Sequence, residues 1–528
     1  VEAHHNLGNA LRELQRTDQA VASYRRALAL DPDFAGALCG LADLLIAQGK
    51  RDEALAYLAR AAAVEPGDEA AVASWFFAKQ HLCEWSDYSK GEASVRTTTG
   101  PRPALCSAFT LLGVSSTAEE RLDCTRRLAA ARFAIPEAMR CPRRQPERRE
   151  RIRLGYLSAD FRRHPVAFLI AGVIDHHDRR DFEVVGYSYG PDDGGPMRAR
   201  LAGSFDRFVD IKQVPHRKAV ELIHADAVDI LIDLTGYTGP CRPVLLAYRP
   251  APVQVNYLGY PGTMGADFVD YLIADPFVVP PEQQRFYTEQ LVYLPDCYQA
   301  NDDRREIAER TASRAECGLP ERSFVFCCFN NSYKITPAFF DIWMRLLHAV
   351  PGSVLWLLVT TPSVTVNLRQ EAAARGIAPE RLVFTQSVPL AEHLARHRLA
   401  DLFLDTLPYN AHTTASDALW AGLPLLTCVG GTFAGRVAGS LLRAAGLGEL
   451  VTTSLAEYEA VALRLAREPE VLARLRARLA ENRQTCPLFD TARFTRNLEA
   501  AYRQMSETSR AGRPPTGFTV SRSADILA

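Results

Sequence analysis

The stretch that decides the fold is residues 405–424, which read DTLPYNAHTTASDALWAGLP. An apolar strand over 401–405 leads into a polar loop. The helix that follows spans about ten residues and ends at Gly422, just before Pro424. A strand that passes through a short loop into a helix is the repeating step of parallel α/β folds. The segment therefore predicts such a fold and directs attention to the junction between loop and helix.

Three polar residues, His412, Thr413 and Thr414, lie where the loop becomes the helix. Free backbone N–H groups and the positive end of the helix dipole attract an anion at such a position, typically a phosphate. Asp417 follows one turn later, on a face from which a carboxylate can reach sugar hydroxyls. The segment alone is equally compatible with an ordinary helix capped by threonine. Both interpretations stay open at this point.

Strands and helices alternate over two long stretches of the chain. The stretch that contains 405–424 has predicted strands at 324–329, 354–359, 382–385, 402–405 and 425–428. An earlier stretch has predicted strands at 152–157, 183–189, 228–234, 253–258 and 271–274. Strands joined by helices form parallel sheets with helices on both faces. Two such units predict two doubly wound, Rossmann-like domains that bind ligands at the carboxyl ends of their strands.

The first seventy residues carry an internal repeat in which positions 6–11 recur 34 residues later as 40–45. The other matched positions are Ala20 and Ala54, Ala27 and Ala61, and Pro32 and Pro66. This period, with small residues at fixed helix positions and a closing proline, is typical of tetratricopeptide repeats. Two repeats are too few for a stable array. We therefore expect the helical, aromatic-rich segment 69–88 to cap them against the next domain.

The predicted fold class is α/β with an N-terminal all-α repeat region, that is, a tetratricopeptide superhelix followed by two Rossmann-like domains. Its predicted parts are repeats and a capping helix at 1–97, a helical linker at 98–148 with a helix over 118–133, a first Rossmann-like catalytic domain at 149–318, a second, nucleotide-sugar-binding domain at 319–507, and a poorly ordered tail at 508–528. A chain of 528 residues is too long for one core, which agrees with this division.

Composition excludes several classes of protein. Hydrophobic residues make up 47% and charged residues 23%, which is typical of a soluble globular chain. The formal net charge of -1 gives no reason to expect nucleic acid or an anionic membrane as a partner. The arginine-rich run at 140–153 is interpreted as a solvated linker. There is neither an 18-residue apolar stretch nor a signal pattern, and the helical pattern that begins at Val1 is typical of a fragment or of a chain without its start.

The chain has twelve cysteines, scattered along its length and without any Cys-x-x-Cys pair or histidine-rich cluster. Several of them, such as Cys327 and Cys328, lie in apolar strands. We expect them to be reduced packing residues of a cytoplasmic protein. The pattern predicts neither a disulfide framework nor a metal site.

Two strand ends of the first unit carry candidate site residues. His164 follows a strand and opens a helix at Pro165, where an imidazole can act as a base or donate to a phosphate. The alternative is a histidine that only caps the helix. The loop 258–265 also follows a strand, and its glycines around Gly262 and Thr263 let backbone approach a ligand. The alternative there is an ordinary loop rich in turns.

The second unit adds a cation and a candidate base pocket. Lys334 lies just before a helix start, where an ammonium can stabilise a leaving phosphate. His393 and Arg396 share one face of a later helix. An imidazole near the helix start can stack on a nucleobase, and the arginine can hold the base or a phosphate. A solvated surface pair is the alternative for these two residues.

Three motifs resemble one known family. They are Gly-Tyr-Pro-Gly-Thr-x-Gly-Ala at 259–266, Phe-Asn-x-x-Tyr-Lys at 329–334, and His-Thr-Thr-x-x-Asp with Leu-Trp-Ala-Gly at 412–422. The chain resembles, over roughly residues 1–507, the bacterial homologues of the tetratricopeptide-linked O-GlcNAc transferases, the SPINDLY-like group. The resemblance implies a metal-independent, inverting glycosyltransferase of the GT-B type, which has two Rossmann-like domains.

The resemblance also implies roles for the candidate residues. His164 matches an active-site histidine, Lys334 the lysine that neutralises the UDP leaving group, and Thr413 and Thr414 the diphosphate cradle beside His412. Asp417 matches a ribose contact, and His393 and Arg396 match the uridine pocket. Two nucleotide-site positions depart from the animal enzymes, since Asn331 replaces a glutamine and Leu390 replaces a lysine near the uracil.

The expected function is transfer of GlcNAc from UDP-GlcNAc to Ser and Thr hydroxyls of proteins, with inversion and without a metal cofactor. The repeats would guide an extended acceptor peptide towards the cleft, since repeat arrays form concave binding surfaces. Two alternatives stay open. One is a different donor, such as the GDP-fucose that a related plant branch uses, and the other is a non-catalytic scaffold that recruits a partner and binds nucleotide.

Overall fold

The computed structural model describes residues 1–13, 16–98, 103, 105–142, 144, 149–359 and 361–521. The chain begins with paired antiparallel helices and continues into a linker with two more helices. These helices are α1 (Glu2–Glu13), α2 (Thr17–Leu30), α3 (Ala35–Ala47), α4 (Arg51–Val64), α5 (Glu69–Leu82), α6 (Tyr88–Thr97), α7 (Leu105–Thr110) and α8 (Ala118–Arg132). Of the helices in these residues, none is both long and apolar enough to cross a membrane.

Small residues let the repeat helices approach one another closely. Gly8 in α1 and Gly40 in α3 are not matched by the 34-residue repeat, but both lie against the ring of Tyr24. A Cβ atom at either position would come within 2.6 Å of that ring. The small residues therefore let α1 and α3 close on the buried tyrosine, whose hydroxyl donates to Asn9.

The sequence predicted that 69–88 would cap the repeats against the next domain. Helix α5 does pack on α4 of the repeats and on α7 of the segment that follows. It also packs against the short 3-10 turn Ser332–Lys334 and against α14 (Pro362–Ala374), which belong to the second α/β unit. The Nδ2 of Asn367 donates to the carbonyl of Leu82 at the end of α5, at 2.9 Å.

The first α/β unit contains a parallel sheet of eight strands. Its elements are β1 (Ile152–Ser158), α9 (Pro165–His176), β2 (Phe182–Ser188), α10 (Pro196–Ser204), β3 (Arg207–Asp210), α11 (His216–Ala225), β4 (Ile230–Asp233), α12 (Val244–Ala247), β5 (Val253–Asn256), β6 (Tyr271–Ala274) and β7 (Gln290–Tyr293). The spatial order is β3-β2-β1-β4-β5-β6-β7, and a C-terminal strand completes the β7 edge. All five predicted strands are present, whereas β3 and β7 were missed.

The second unit has a six-stranded parallel sheet. Its elements are β8 (Val325–Cys328), α13 (Pro337–Ala349), β9 (Val354–Leu358), α14, β10 (Leu382–Thr385), α15 (Leu390–Arg396), β11 (Leu402–Leu404), α16 (Thr413–Trp420), β12 (Leu425–Cys428), α17 (Val437–Ala444), β13 (Val451–Thr452), α18 (Leu455–Arg467) and α19 (Pro469–Asn482). The strand order is β10-β9-β8-β11-β12-β13. Helical repeats followed by two parallel α/β units are the fold class predicted from the sequence.

The C-terminal segment corrects the expectation of a poorly ordered tail. The last helix, α20 (Thr491–Arg510), returns to the first unit, where Glu499 accepts from His177 at 3.0 Å. Strand β14 (Phe518–Thr519) then pairs with β7. The segment is ordered because the sheet edge supplies partners for its backbone, including the carbonyl of Tyr293 for the N–H of Val520. Residues 522–528 lie outside the described residues.

The arginine-rich run at 140–153 is only partly covered, since residue 143 and residues 145–148 lie outside the described residues. Several of its covered arginines contact residues of the first unit. Arg140 pairs with Asp267 at 3.0 Å, Arg149 donates to the carbonyl of Ala227, and Arg153 pairs with Glu183 at 2.8 Å. These partners attach the linker to the amino edge of the first sheet.

Candidate active site

The carboxyl edges of the two sheets meet at a cleft. Helix α9, which follows β1, contacts α16, which follows β11. The guanidinium of Arg163 donates to the carbonyl of Val388 across the cleft, at 3.1 Å. The crossing segment between the two units adds Gln299, whose Nε2 donates to Ser416 Oγ at 2.7 Å. Predicted site residues from both units therefore border one cleft.

Lys334 is a buried cation at this cleft, with 7% of its surface exposed. Its Nζ donates to the carbonyl of Asn410 at 2.7 Å and lies 3.8 Å from the centroid of the Tyr409 ring. Burial lowers the pKa of Lys334, while the nearby Asp405 carboxylate opposes that shift. Among the described residues no carboxylate comes within ion-pair distance of Lys334. An anion in the cleft would therefore gain an ammonium that has no direct counter-ion.

The N-terminus of α16 is open. His412 is the residue that precedes the helix, and its side chain does not cap it. In the described residues, the backbone N–H groups of Thr413 and Thr414 have no hydrogen-bond acceptor. The hydroxyl of Thr414 instead donates to Asn330 Oδ1, at 2.5 Å. The alternative of a helix capped by threonine is therefore wrong, and the free N–H groups remain for an anion.

Asp405 fixes the loop that connects these two features. Its carboxylate is fully buried and accepts from the N–H of Ala411 at 2.6 Å and from the hydroxyl of Thr427 at 2.6 Å. Asn330 also donates to Asp405, at 3.3 Å. Burial raises the pKa of Asp405, and these donors work against that shift. The loop geometry therefore depends on Asn330, which was missed as a site residue although it lies inside the quoted motif at 329–334.

An aromatic pocket surrounds Phe329 at the end of β8. The rings of His393 and His397 lie 5.5 Å and 5.1 Å from the Phe329 ring, and the guanidinium of Arg396 lies 5.8 Å from it. Arg396 Nη1 donates to Thr385 Oγ1 at 2.9 Å, so the alternative of a solvated surface pair is wrong. His397 was missed because its role depends on contact with Phe329.

The same pocket keeps polar atoms without partners. Within the described part of the chain, Arg396 Nη2 and His397 Nε2 are buried and make no hydrogen bond. Burial lowers the pKa of His393 to about 2 and that of His397 to about 4, so both rings are neutral at neutral pH. Leu390 begins the same helix and is half-buried. Because His397 Nδ1 donates to the carbonyl of His393, its Nε2 is a free acceptor, whereas Arg396 Nη2 is a free donor. Neutral rings beside one donor and one acceptor suit a planar, polar ligand such as a nucleobase.

Asp417 is held by a residue that the sequence did not point to. Its Oδ1 accepts from Arg305 Nη1 at 2.7 Å, and both side chains are buried. Burial raises the pKa of Asp417 to about 6, while Arg305 opposes that shift. The expected contact with sugar hydroxyls thus competes with an internal ion pair. Arg305 lies 112 residues before its partner and belongs to no recognisable motif.

His164 caps α9 and still reaches the cleft edge. Its Nδ1 accepts from the N–H of Val166 at 3.3 Å, and Asp160 Oδ1 lies 3.6 Å from the same nitrogen. An accepting Nδ1 leaves the proton of the neutral ring on Nε2. Burial and the neighbouring Arg162 lower the pKa of His164 to about 4. At neutral pH the ring is therefore a cap that also presents an N–H donor.

The loop around Gly262 and Thr263 corrects another expectation. Thr263 is buried, and its hydroxyl donates to Glu289 Oε2 at 2.6 Å. The carbonyl of Gly262 accepts from Asn256 Nδ2 at 3.2 Å. These groups are used inside the loop, so the Thr263 hydroxyl is not available to a donor substrate in this arrangement. Asn331, by contrast, is exposed at the start of the turn that ends at Lys334.

The described residues contain no group of three or more His, Cys, Asp or Glu side chains that could hold a metal ion. All twelve cysteines are free. Burial raises the pKa of several thiols, among them that of Cys39 to about 12. The cysteines therefore pack as neutral thiols, as the sequence predicted.

Two facing α/β units, with anion-binding features on the second, define a protein of the GT-B class. The chain belongs to glycosyl transferase family 41, since the model of that family matches residues 128–311 and 306–498. Tetratricopeptide repeat models match residues 8–49 and 37–70. The predicted repeats and the predicted resemblance are both confirmed.

Named relatives agree with this assignment. A probable UDP-N-acetylglucosamine–peptide N-acetylglucosaminyltransferase SEC of Arabidopsis thaliana is 40% identical over 403 residues, which is 74% of this chain and 41% of that protein. A UDP-N-acetylglucosamine–peptide N-acetylglucosaminyltransferase of Caenorhabditis elegans is 30% identical over 477 residues, which is 69% of this chain and 41% of that protein. The chain thus spans about two fifths of the length of these curated relatives.

A solved structure covers nearly the whole chain. A mutant of the Thermobaculum terrenum O-GlcNAc transferase superposes with a TM-score of 0.81 and 31% sequence identity. The match covers 97% of this chain and 98% of that chain. The arrangement of repeats and α/β units is therefore shared with that bacterial protein.

Proposed function

We propose that the protein transfers GlcNAc from UDP-GlcNAc to Ser and Thr hydroxyls of proteins, with inversion at the anomeric carbon. The observation that carries this proposal is the loop at 405–414, which joins the buried ammonium of Lys334 to the open N-terminus of α16. Such an arrangement suits a diphosphate, because an ammonium and free N–H groups are its natural partners. The names of the relatives supply the sugar and the class of acceptor.

The uridine would lie in the aromatic pocket around Phe329. Its base would stack beside His393, accept a hydrogen bond from Arg396 Nη2 and donate one to His397 Nε2, and both of these atoms lack partners in the described residues. Leu390 and Asn331 would border this nucleotide. Asp417 would reach the ribose only if it shares its carboxylate between the sugar and Arg305.

Charge drives the proposed reaction. The bond from the anomeric carbon to the diphosphate breaks with its electron pair, and UDP gains negative charge. Lys334 and the N–H groups of Thr413 and Thr414 would stabilise that charge in a site that excludes water. The acceptor hydroxyl forms the new bond from the opposite face, and its proton would pass to an oxygen of the departing diphosphate, whose basicity rises as it gains charge. His164 would donate through Nε2–H to an oxygen of the substrates.

We further propose that no metal ion takes part, since fixed cationic groups of the chain would supply the charge stabilisation. The acceptor would reach the cleft as an extended peptide from the repeats. A cavity of about 660 Å³, lined by Tyr88, Thr336, Leu407 and Pro408 among others, leaves room between α6 and the strand ends of the second unit. The unpaired cysteines fit a reducing compartment such as the cytoplasm.

We keep the sequence-based division into domains as a proposal, with a catalytic first unit at 149–318 and a nucleotide-sugar-binding second unit at 319–507. Helix α20 falls in the second range but packs on the first sheet, and β14 extends that sheet. In functional terms, the C-terminal segment would hold the first unit in place behind the cleft.

The test combines binding and transfer. Calorimetry with UDP, UDP-GlcNAc, GDP and GDP-fucose, with and without EDTA, is expected to give selective uridine nucleotide binding that survives EDTA. Radiolabelled UDP-GlcNAc should then label Ser or Thr in a peptide library. Binding of GDP-fucose alone would move the protein to a fucosyl donor. Nucleotide binding without any transfer would favour the scaffold interpretation, and loss of binding in EDTA would refute metal independence.

A further inference from the structure

Helix α5 of the repeat region contacts the donor site through a chain of rings. The rings of Phe77 and His81 lie 5.3 Å and 4.8 Å from that of Tyr333. Tyr333 lies 6.1 Å from Tyr409, whose ring carries the ammonium of Lys334 at 3.8 Å. We call these four aromatic residues (Phe77, His81, Tyr333 and Tyr409) the aromatic relay. It runs from the repeats to the cation that would face the diphosphate.

Hydrogen bonds hold the same junction. The hydroxyl of Ser332 donates to the carbonyl of His81 at 2.6 Å, and the thiol of Cys83 donates to the carbonyl of Ser332 at 3.6 Å. Both bonds cross from α5 to the three-residue turn that ends at Lys334. The turn has two backbone bonds of its own, from the N–H of Lys334 to the carbonyl of Asn331 and from the N–H of Ile335 to the carbonyl of Ser332, which fix its shape but not its place. Its position therefore depends on what packs against it.

We propose that Phe77 and His81 are positioning residues for Lys334, so that binding of the diphosphate depends on the docking of the repeat region. This inference rests on the proposed function. The ammonium of Lys334 has two fixed contacts, the carbonyl of Asn410 and the face of the Tyr409 ring. A shift of the Tyr409 ring would therefore displace the ammonium. Small displacements at a charged site have large effects on binding and rate.

The aromatic relay can fix the position of Lys334 without bringing another charge close to it. Burial lowers the pKa of His81 to about 3, so its ring is neutral and does not repel the ammonium of Lys334. Tyr333 and Tyr409 are buried, while Phe77 and His81 are mostly buried but keep part of their surface exposed. A peptide that moves along the repeats could thus reach the outer end of the relay, whereas its inner end is closed.

Helix α5 offers a matched control. Phe76 is adjacent to Phe77 but points away from the relay, with its ring 5.3 Å from that of Tyr88. It is more deeply buried than Phe77, so Phe76→Leu removes at least as much packing. A purely structural role of α5 predicts that F76L impairs the protein as much as a change in the relay does.

The experiment measures binding of UDP and of uridine by calorimetry in the full chain. The double variant Phe77→Leu/His81→Leu is expected to lose about tenfold or more in UDP affinity, the size of one charge-assisted contact. Its uridine affinity should match that of the wild type, because the pocket at Phe329 is untouched. F76L should retain both affinities.

Equal UDP affinity in the double variant and the wild type would overturn the inference, as would a parallel loss of UDP and uridine binding. If circular dichroism shows the double variant unfolded, Ser332→Ala replaces it, since that change removes only the bond to His81. Absence of UDP binding in the wild type would instead refute the proposed function, and with it this inference.

Discussion

The carboxyl edges of the two parallel sheets meet at one cleft, yet they use their hydrogen bonds differently. In the first unit several edge groups satisfy each other, as Thr263 does with Glu289 and as Asp233 does with the N–H groups of Thr235 and Gly236. Asn256 Oδ1 and Arg162 Nε are nevertheless buried there without partners among the described residues. In the second unit, the described residues leave the N–H groups of Thr413 and Thr414 and the Nη2 of Arg396 without acceptors.

This difference assigns separate tasks to two units with the same architecture. Buried donors without partners cost free energy unless a ligand satisfies them. Under the proposed function, the second unit would carry the cost of a nucleotide site, and the first unit would form the opposite wall of the cleft. Variants that remove a charge or a hydrogen-bonding group at one edge or the other test this difference most directly.

The largest effect is expected at Lys334. Lys334→Met keeps an apolar stem of similar length but removes the ammonium, so transfer should fall by about 10²–10³-fold, as for the loss of one preorganised charge-stabilising group. UDP affinity should fall less, because the base pocket and the N–H groups of α16 remain. Single-turnover transfer and UDP calorimetry measure the two effects. Transfer at the wild-type rate in this variant would mean that groups other than Lys334 stabilise the charge on the leaving UDP.

The second prediction concerns pH. Burial lowers the pKa of Lys334, so the free protein loses its ammonium as pH rises through that lowered value. A bound diphosphate favours the charged form and raises the pKa again. At a pH between the Lys334 pKa of the free protein and that of the complex, binding of UDP-GlcNAc must therefore take up a proton. Above the pKa of the free protein, the affinity should fall by up to about tenfold per pH unit.

Other titratable groups face Lys334, and their titration must be distinguished from that of the lysine in this measurement. They are Asp405, Cys328, Tyr409 and His412. Calorimetry in buffers of different ionisation enthalpy counts the protons taken up. Lys334→Met should abolish the part due to the lysine, and any uptake that persists in it belongs to the other facing groups, chiefly Asp405, whose pKa burial raises, and His412, whose pKa burial lowers. An affinity independent of pH in the wild type would show that Lys334 is charged throughout.

A smaller effect is expected in the first unit, at His164. Asparagine is a good N-terminal helix cap, so His164→Asn should preserve α9 while removing the Nε2–H donor. Transfer is expected to fall roughly tenfold in this variant, the size of one hydrogen bond to a charged group. His164→Ala should lower transfer similarly and also lower the melting temperature. Full activity of the asparagine variant would mean that His164 only caps the helix.

The sequence predicted those features that depend on residues close to one another along the chain. Strands such as β1 and β4 are rich in apolar residues, and the junction at 412–414 is a local pattern. Edge strands were missed because β3 is short and half-exposed, and because β14 lies in a segment rich in glycine and proline. Arg305 was missed for a different reason, since only a contact across 112 residues makes it the partner of Asp417.

The last and smallest kinetic effect comes from one substitution made in both units. Thr263→Val leaves the buried Glu289 with one donor fewer, so the free energy of unfolding should fall by about 1–3 kcal/mol while transfer per folded molecule stays within about twofold. Thr414→Val removes the hydroxyl that donates to Asn330 and should weaken UDP binding instead. Urea unfolding and UDP calorimetry on both variants separate the outcomes. A loss of UDP affinity in T263V equal to that in T414V would show that the first unit also binds the donor through its loop, and the contrast between the two edges would fail.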